Sequence, residues 1–160
     1  MRRMDAKMII DYYFGIPMMK KLLDSERVEL ENEYNGLRGM SYDSAPYNHM
    51  PGKPTEGLVE KLDVQNVRGR LDEIRVLRCV LDTDREKIQG CLDTLKGEYK
   101  KMVMLRYGSK YSWAKIAVYM STTERTAKRW HDRTLDRLGE VLEDVPMAEE
   151  LIGRASRARV

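Results

Sequence analysis

Ser112-Trp-Ala-Lys-Ile-Ala-Val-Tyr-Met120, then Ser121-Thr-Thr123, then Glu124-Arg-Thr-Ala-Lys-Arg-Trp-His-Asp-Arg-Thr-Leu-Asp-Arg-Leu138 is the stretch on which the fold turns. Trp113, Ile116, Ala117 and Met120 recur at i, i+3, i+4 and i+7, the spacing of a helix that buries one face. Ser112 stands where a hydroxyl caps the first turn. Ala117 is small and sits in mid-helix, which lets a second helix cross closely. After the three turn residues, Ala127, Trp130, Thr134 and Leu138 form the inward stripe of that second helix. A short helix, a tight turn and a longer helix are the proportions of a helix-turn-helix.

The outward face of the second helix carries the chemistry. With Ala127 at zero and about 100° per residue, Arg125 falls near 160° and Arg129 near 200°, opposite the stripe. A recognition helix in the DNA major groove needs this, because an arginine fork can bond guanine O6 and N7 together. Arg125 and Arg129 are therefore expected to read bases, and Lys128 to hold register on the backbone. Lys110, Lys115, Arg133 and the amides near Thr123 are expected at phosphates. Ser112, Thr122, Thr123, Glu124 and Thr126 complete the candidate DNA-binding set. An ordinary helical hairpin with a charged outer face would show the same periodicity.

Charge along the chain agrees with a polyanionic partner. The net charge is only +3, yet Lys96 to Leu138 holds eleven Lys/Arg against four acids, a local +7 on a remainder of −4. A basic block on a mildly acidic chain is the electrostatic footprint of nucleic-acid binding. The helix before the motif, Glu98-Tyr-Lys-Lys-Met-Val-Met-Leu-Arg-Tyr107, turns Met102, Leu105 and Val103 inward and is expected to stop at Gly108 in a left-handed terminator.

The run Leu95…Leu105-Arg-Tyr…Ser112-Trp-Ala-Lys-Ile116-Ala117…Thr123-Glu-Arg-Thr126-Ala-Lys128…Leu135…Leu138 resembles region 4 of bacterial sigma-70-type factors. That family shows a Leu-Arg-Tyr run, an Ile-Ala pair and a Ser/Thr-x-x-Thr-Val-Lys turn and helix. Two positions depart from it. Ser121 replaces the turn glycine, and can take the left-handed conformation only at some cost; Thr122 replaces a buried aliphatic residue. The layout of the whole chain is similar to phage late-gene transcriptional activators of the RinA/ArpU type. The resemblance implies an activator that touches bacterial RNA polymerase in the host cytoplasm.

Upstream, apolar spacing is again helical. Residues 1–37 read as two helices or one kinked helix, with Met4, Met8 and Tyr12 as one stripe and Ile16, Met19, Leu23, Leu30, Tyr34 and Leu37 as the next. Gly15-Ile16-Pro17 is the expected interruption. Residues 38–54 hold three prolines and two glycines and read as a loop, with Tyr42, Tyr47 and His49 tacking it onto neighbouring helices. Residues 55–82 read as a long amphipathic helix on Leu58, Leu62, Val67, Leu71, Ile74, Leu77 and Leu81, suited to self-association as a homodimer or higher oligomer. Thr83-Asp-Arg-Glu86 has capping-box spacing and marks a break before the DNA-binding region, 83–142. Residues 143–160 read as a C-terminal tail, whose end, Gly153-Arg-Ala-Ser-Arg-Ala-Arg-Val160, is basic, expected to fray and able to add phosphate contacts. With no alternating run of β character, the expected class is all-α.

Composition and motifs exclude other classes. At 34% charged residues and without a long apolar run, the chain lacks a membrane span, and its basic start lacks the apolar core of a signal peptide. Cys79 and Cys91 form no Cys-x-x-Cys pair, so a cytoplasmic protein is expected. His49 and His131 lie far apart with no Cys or His partners, which argues against a metal site; His131 reads as a surface residue near a phosphate. No P-loop, dinucleotide fingerprint or nucleophile elbow is present, so neither enzyme activity nor a cofactor is expected. Asp82/Asp84 and Glu149/Glu150 read as solvated or helix-terminus charges. The expected function is a sequence-specific, double-stranded-DNA-binding transcriptional regulator. Two alternatives remain, a coiled-coil adaptor binding an acidic protein and a phage small-terminase-like DNA-binding subunit.

Overall fold

Apolar periodicity of 3.6 along nearly the whole chain builds helices wherever a second helix can cover the stripe. The computed structural model describes residues 2–40, 54–146 and 148–158, and among them all regular structure is helical. The elements are α1 (Arg3–Met40), α2 (Pro54–Thr94), α3 (Gly97–Val103), a π turn (Met104–Gly108), α4 (Trp113–Tyr119), α5 (Glu124–Glu143) and α6 (Ala148–Arg157). No helix among the described residues is long and apolar enough to cross a membrane.

Three helix boundaries differ from the sequence reading. α1 does not break at Gly15-Ile16-Pro17 and extends to Met40. An interior proline costs a helix about 3 kcal/mol. Ile9, Ile10, Tyr12, Tyr13 and Ile16 are all buried around it, each worth about 1.5–3 kcal/mol, so packing outweighs the local defect. The register follows the same rule: Met4 is 67% exposed, and Ala6, Ile9 and Ile10 are buried instead. α2 continues past Thr83 to Thr94 because Leu81, Asp84, Ile88, Cys91 and Leu92 keep one face covered. The third difference is the expected tail, which contains α6 with Leu151 and Ala155 buried. The middle of the expected loop, with Tyr42, Tyr47 and His49, lies outside the described residues, as do the side chains of Leu37, Leu58 and Leu62.

The chain forms two compact units, Met18–Leu81 and Met1–Pro17 with Asp82–Val160. In the first, α1 and α2 run antiparallel. Arg70 Nε and Nη2 bond the Glu26 carboxylate at 2.7 and 3.2 Å, and Arg78 pairs with Asp24. The Arg70 bond holds the Glu26 carboxyl below its ordinary range. Val67, Ile74 and Leu81 are buried, while Met19, Leu23, Leu30 and Tyr34 are half-buried.

In the second unit the start of α1, the end of α2 and α6 meet at Asp84, which is 1% exposed. Its carboxylate accepts from Tyr12 Oη at 2.9 Å and from Arg154 Nε and Nη2 at 2.7 Å each. Burial, and then the Asp84 bond, push the Tyr12 hydroxyl well above its ordinary pKa. Asp84 is thus no solvated charge, contrary to the sequence reading, and Arg154 is not a free phosphate contact of a tail. Arg154→Ala leaves this carboxylate buried and uncompensated. Urea unfolding is expected to show a loss of about 3 kcal/mol, the lower end for breaking a buried pair, because Arg154 stays partly exposed.

Candidate nucleic-acid interface

α4 and α5 are set by caps readable residue by residue. Ser112 has extended backbone, and its hydroxyl accepts from Lys115 N at 3.3 Å. α4 ends in a Schellman motif. Ser121 takes φ 51°, Thr122 N–H bonds the Ala117 carbonyl at 2.9 Å, and Ser121 N–H bonds the Val118 carbonyl at 3.1 Å. A non-glycine residue held there costs about 1–2 kcal/mol, and those two bonds offset part of it. Thr123 then caps α5, accepting from Thr126 N at 3.3 Å, with the two threonine hydroxyls 2.9 Å apart. Half-buried Thr122 occupies the position of the expected aliphatic residue through its backbone.

The two helices close on a core of Met102, Leu105, Ile116 and Ala127, with Tyr111, Trp113, Met120 and Trp130 packed around it. Ala117 is 5% and Ala127 0% exposed, so the crossing relies on small residues on both helices. Farther along α5 the buried face widens to Thr134, Leu135, Leu138, Gly139 and Leu142. Leu135, Gly139 and Leu142 lie outside the stripe read from the sequence.

This packing sorts the basic residues into two groups. Arg106 Nη1 bonds the Tyr111 carbonyl at 2.8 Å, and its guanidinium lies 4.5 Å from the Trp113 ring centre. Lys115 Nζ sits 3.7 Å over the Tyr111 ring, Lys101 covers Tyr119, and Lys100 pairs with Asp93 at 2.6 Å. Lys110, Arg125, Lys128, Arg129 and Arg133 are exposed and make no ion pair or hydrogen bond among the described residues. The acids beside them on α5 are partly neutralised, because Arg3 bonds Asp136, with Nη2 to Oδ2 at 2.6 Å, and approaches Asp132 at 3.9 Å. Glu124 remains exposed in the first turn of α5. The expected contact residues are thereby divided. Arg125, Lys128, Arg129 and Arg133 share the exposed side of α5, Ser112, Thr123 and Thr126 serve as caps or cap partners, and Lys115 lies across an aromatic ring.

The link from α3 to α4 differs from expectation. Gly108 does not take positive φ; the helix loosens into the π turn, Ser109 N–H bonds the Met104 carbonyl at 2.8 Å, and Lys110 takes φ 53° instead. Gly108 sits tightly against Phe14, since a Cβ there would meet Phe14 Cε1 at 3.0 Å and the ring would have to give by a few tenths of an ångström. Behind this link lies a cleft of about 380 Å³ lined by Lys7, Asp11, Arg106, Tyr107, Lys110, Trp113 and His131. Sequence reasoning missed it because Lys7 and Lys110 are joined by tertiary contacts alone. His131 is not a surface residue. Its ring stacks on Tyr107, meets Trp113 edge-on, and its Nε2 is 2.9 Å from the Tyr107 hydroxyl.

Burial first, then the Arg106 and Lys7 charges, lower the His131 pKa against the opposing pull of Asp132. The unfolded chain therefore takes up this proton before the folded chain does. Stability is full above about pH 6.5, the ordinary histidine value, and is lost as pH falls below it toward the depressed folded value. Melting temperatures across that range are expected to fall for the native chain and to fall less steeply for His131→Gln.

A family model described as protein of unknown function (DUF722) matches residues 71–140, from the middle of α2 through most of α5. Neither the curated proteins nor the solved structures contain a match to this chain.

Proposed function

We propose that this chain is a sequence-specific DNA-binding transcriptional regulator that lays the start of α5 in the major groove. The observation that carries the reading is the row Arg125, Lys128, Arg129 and Arg133, exposed and without partners among the described residues on a helix capped and crossed by α4. Acids at i±3 or i±4 can pair with such cations, as Glu140 does with Arg137 at 3.3 Å farther along α5. Here Asp136 instead faces Arg3. Arginine forks in the first two turns suit guanine edges, and Lys110 and Lys128 suit phosphates. The resemblance of residues 95–138 to sigma-70 region 4 supports the same reading, and the layout of the whole chain, similar to RinA/ArpU-type activators, points to an activator of phage late genes that contacts RNA polymerase.

The experiment is selection of duplexes from a random pool by the purified chain, followed by titration on the selected sequence. Arg125→Ala or Arg129→Ala is expected to cost about 1–3 kcal/mol there and to relax preference at one base position, whereas Lys128→Ala weakens all sequences alike. Affinity should fall with salt by about 0.9 in log–log slope per phosphate contacted. A slope near zero with no selected sequence would favour the adaptor for an acidic protein.

Self-association belongs to the same proposal. In the Met18–Leu81 unit, Met18, Leu22, Val28, Val76 and Leu77 are between 43% and 64% exposed, apolar surface that a second copy would cover. A two-fold dimer would present two α5 helices to adjacent half-sites. Sedimentation of the full chain at micromolar concentration is expected to give a dimer or larger species, and a strict monomer would remove this part.

A further inference from the structure

We propose that the cleft between α1, the π turn, Lys110, α4 and α5 seats a phosphate group. This makes the beginning of α1 part of the nucleic-acid-binding surface. The step rests on the DNA-binding reading only for the source of the phosphate, a duplex backbone rather than a free anion.

Three cations, Lys7, Arg106 and Lys110, line the cleft against one acid, Asp11. Lys7 and Lys110 are exposed and have no ion pair or hydrogen bond among the described residues. They come from opposite ends of the sequence and converge only because α1 packs within the Asp82–Val160 unit. The Arg106 guanidinium is held on the Trp113 ring and the Tyr111 carbonyl, so its charge is fixed in place at the wall. Lys110 adopts φ 53° although it is not glycine, a backbone strain that persists only when the surroundings dictate it and that often marks a binding segment. At the back, the Tyr107 hydroxyl lies 2.9 Å from His131 Nε2, which fixes the ring of His131 at the wall of the cleft. A volume of about 380 Å³ admits a phosphate with its ester carbons.

The cleft lies on the side of α5 that carries His131, apart from the Arg125/Arg129 face. A phosphate there would come from the DNA backbone flanking the bases that α5 reads. Its negative charge would oppose the influence of Lys7 and Arg106 on His131, in the same direction as that of Asp132. His131 is therefore a built-in reporter: phosphate in the cleft shifts its ring-proton signal and raises its pKa.

The test follows the His131 ring proton by NMR while the full chain is titrated with inorganic phosphate and, separately, with a short duplex. Duplex affinity is measured in parallel for the native chain, Lys7→Ala and Lys7→Glu. Lys7 is exposed, and unchanged melting temperatures would show that both variants fold. The expected results are a His131 shift and, for Lys7→Ala, about a five- to tenfold affinity loss near 0.1 M salt with a slope shallower by about 0.9. Lys7→Glu should lose more. A His131 shift with inorganic phosphate, but Lys7 variants that bind duplex normally, would support the cleft and assign it to a free phosphate. An unmoved His131 in both titrations, with unchanged duplex affinity, would overturn the proposal. If the native chain bound no duplex, the DNA-binding reading would fall, and the phosphate titration would still decide the cleft.

Discussion

The carboxylate of Asp84 is the constraint around which the Asp82–Val160 unit is assembled. A charge that is 1% exposed must be compensated by groups with strict geometry. The compensation comes from Tyr12 on α1 and a two-pronged Arg154 on α6. Three helices distant in sequence are thereby tied to one atom pair, with little freedom for any of them to slide. Apolar burial supplies most of the folding energy here, but it tolerates sliding by a turn, and a buried fork does not. The presence of α1 beside α5 follows from this register, as do the Arg3–Asp136 bond and the cleft at Lys7.

The α4–α5 pair depends on a different balance. Small residues at the crossing, Ala117 and Ala127, allow close approach, while Ser121 is held left-handed in a turn where glycine would rest without strain. Two caps and two turn bonds satisfy amides and carbonyls that helix ends would otherwise leave open. Once these internal needs are met, Arg125, Lys128, Arg129 and Arg133 remain exposed, with no ion pair or hydrogen bond among the described residues. Around them the structural cations, Arg106 and Lys115, face aromatic rings, so the basic block divides into a scaffold and a free surface.

Much of this was legible in local sequence. Ser112 as a cap, the inward set Trp113, Ile116, Met120, Ala127 and Trp130, and the strained Ser121 all follow from residue type and spacing over a few turns. The failures in helix length share one cause. Pro17 and Thr83 are local interruptions that two long helices override, because partners tens of residues away bury the neighbouring side chains; the run before α4 does end at Gly108, through a π turn and without a left-handed glycine. The residues near Gly153 looked like a loose tail because their single charged anchor, Asp84, lies 70 positions away.

The sequence by itself determined an all-α chain, the spans of α4 and most of α5, the cap of α4, and which side of α5 carries the arginines. These are matters of period, capping and charge within one or two helical turns. Only the tertiary structure decided that α1 and α2 run unbroken, that α6 exists and docks, that His131 is half-buried with a lowered pKa, and that Lys7 and Lys110 face one cleft. Each of these depends on burial and ion pairing between residues far apart in the chain, whose energies exceed local propensities and leave no periodic trace in the sequence.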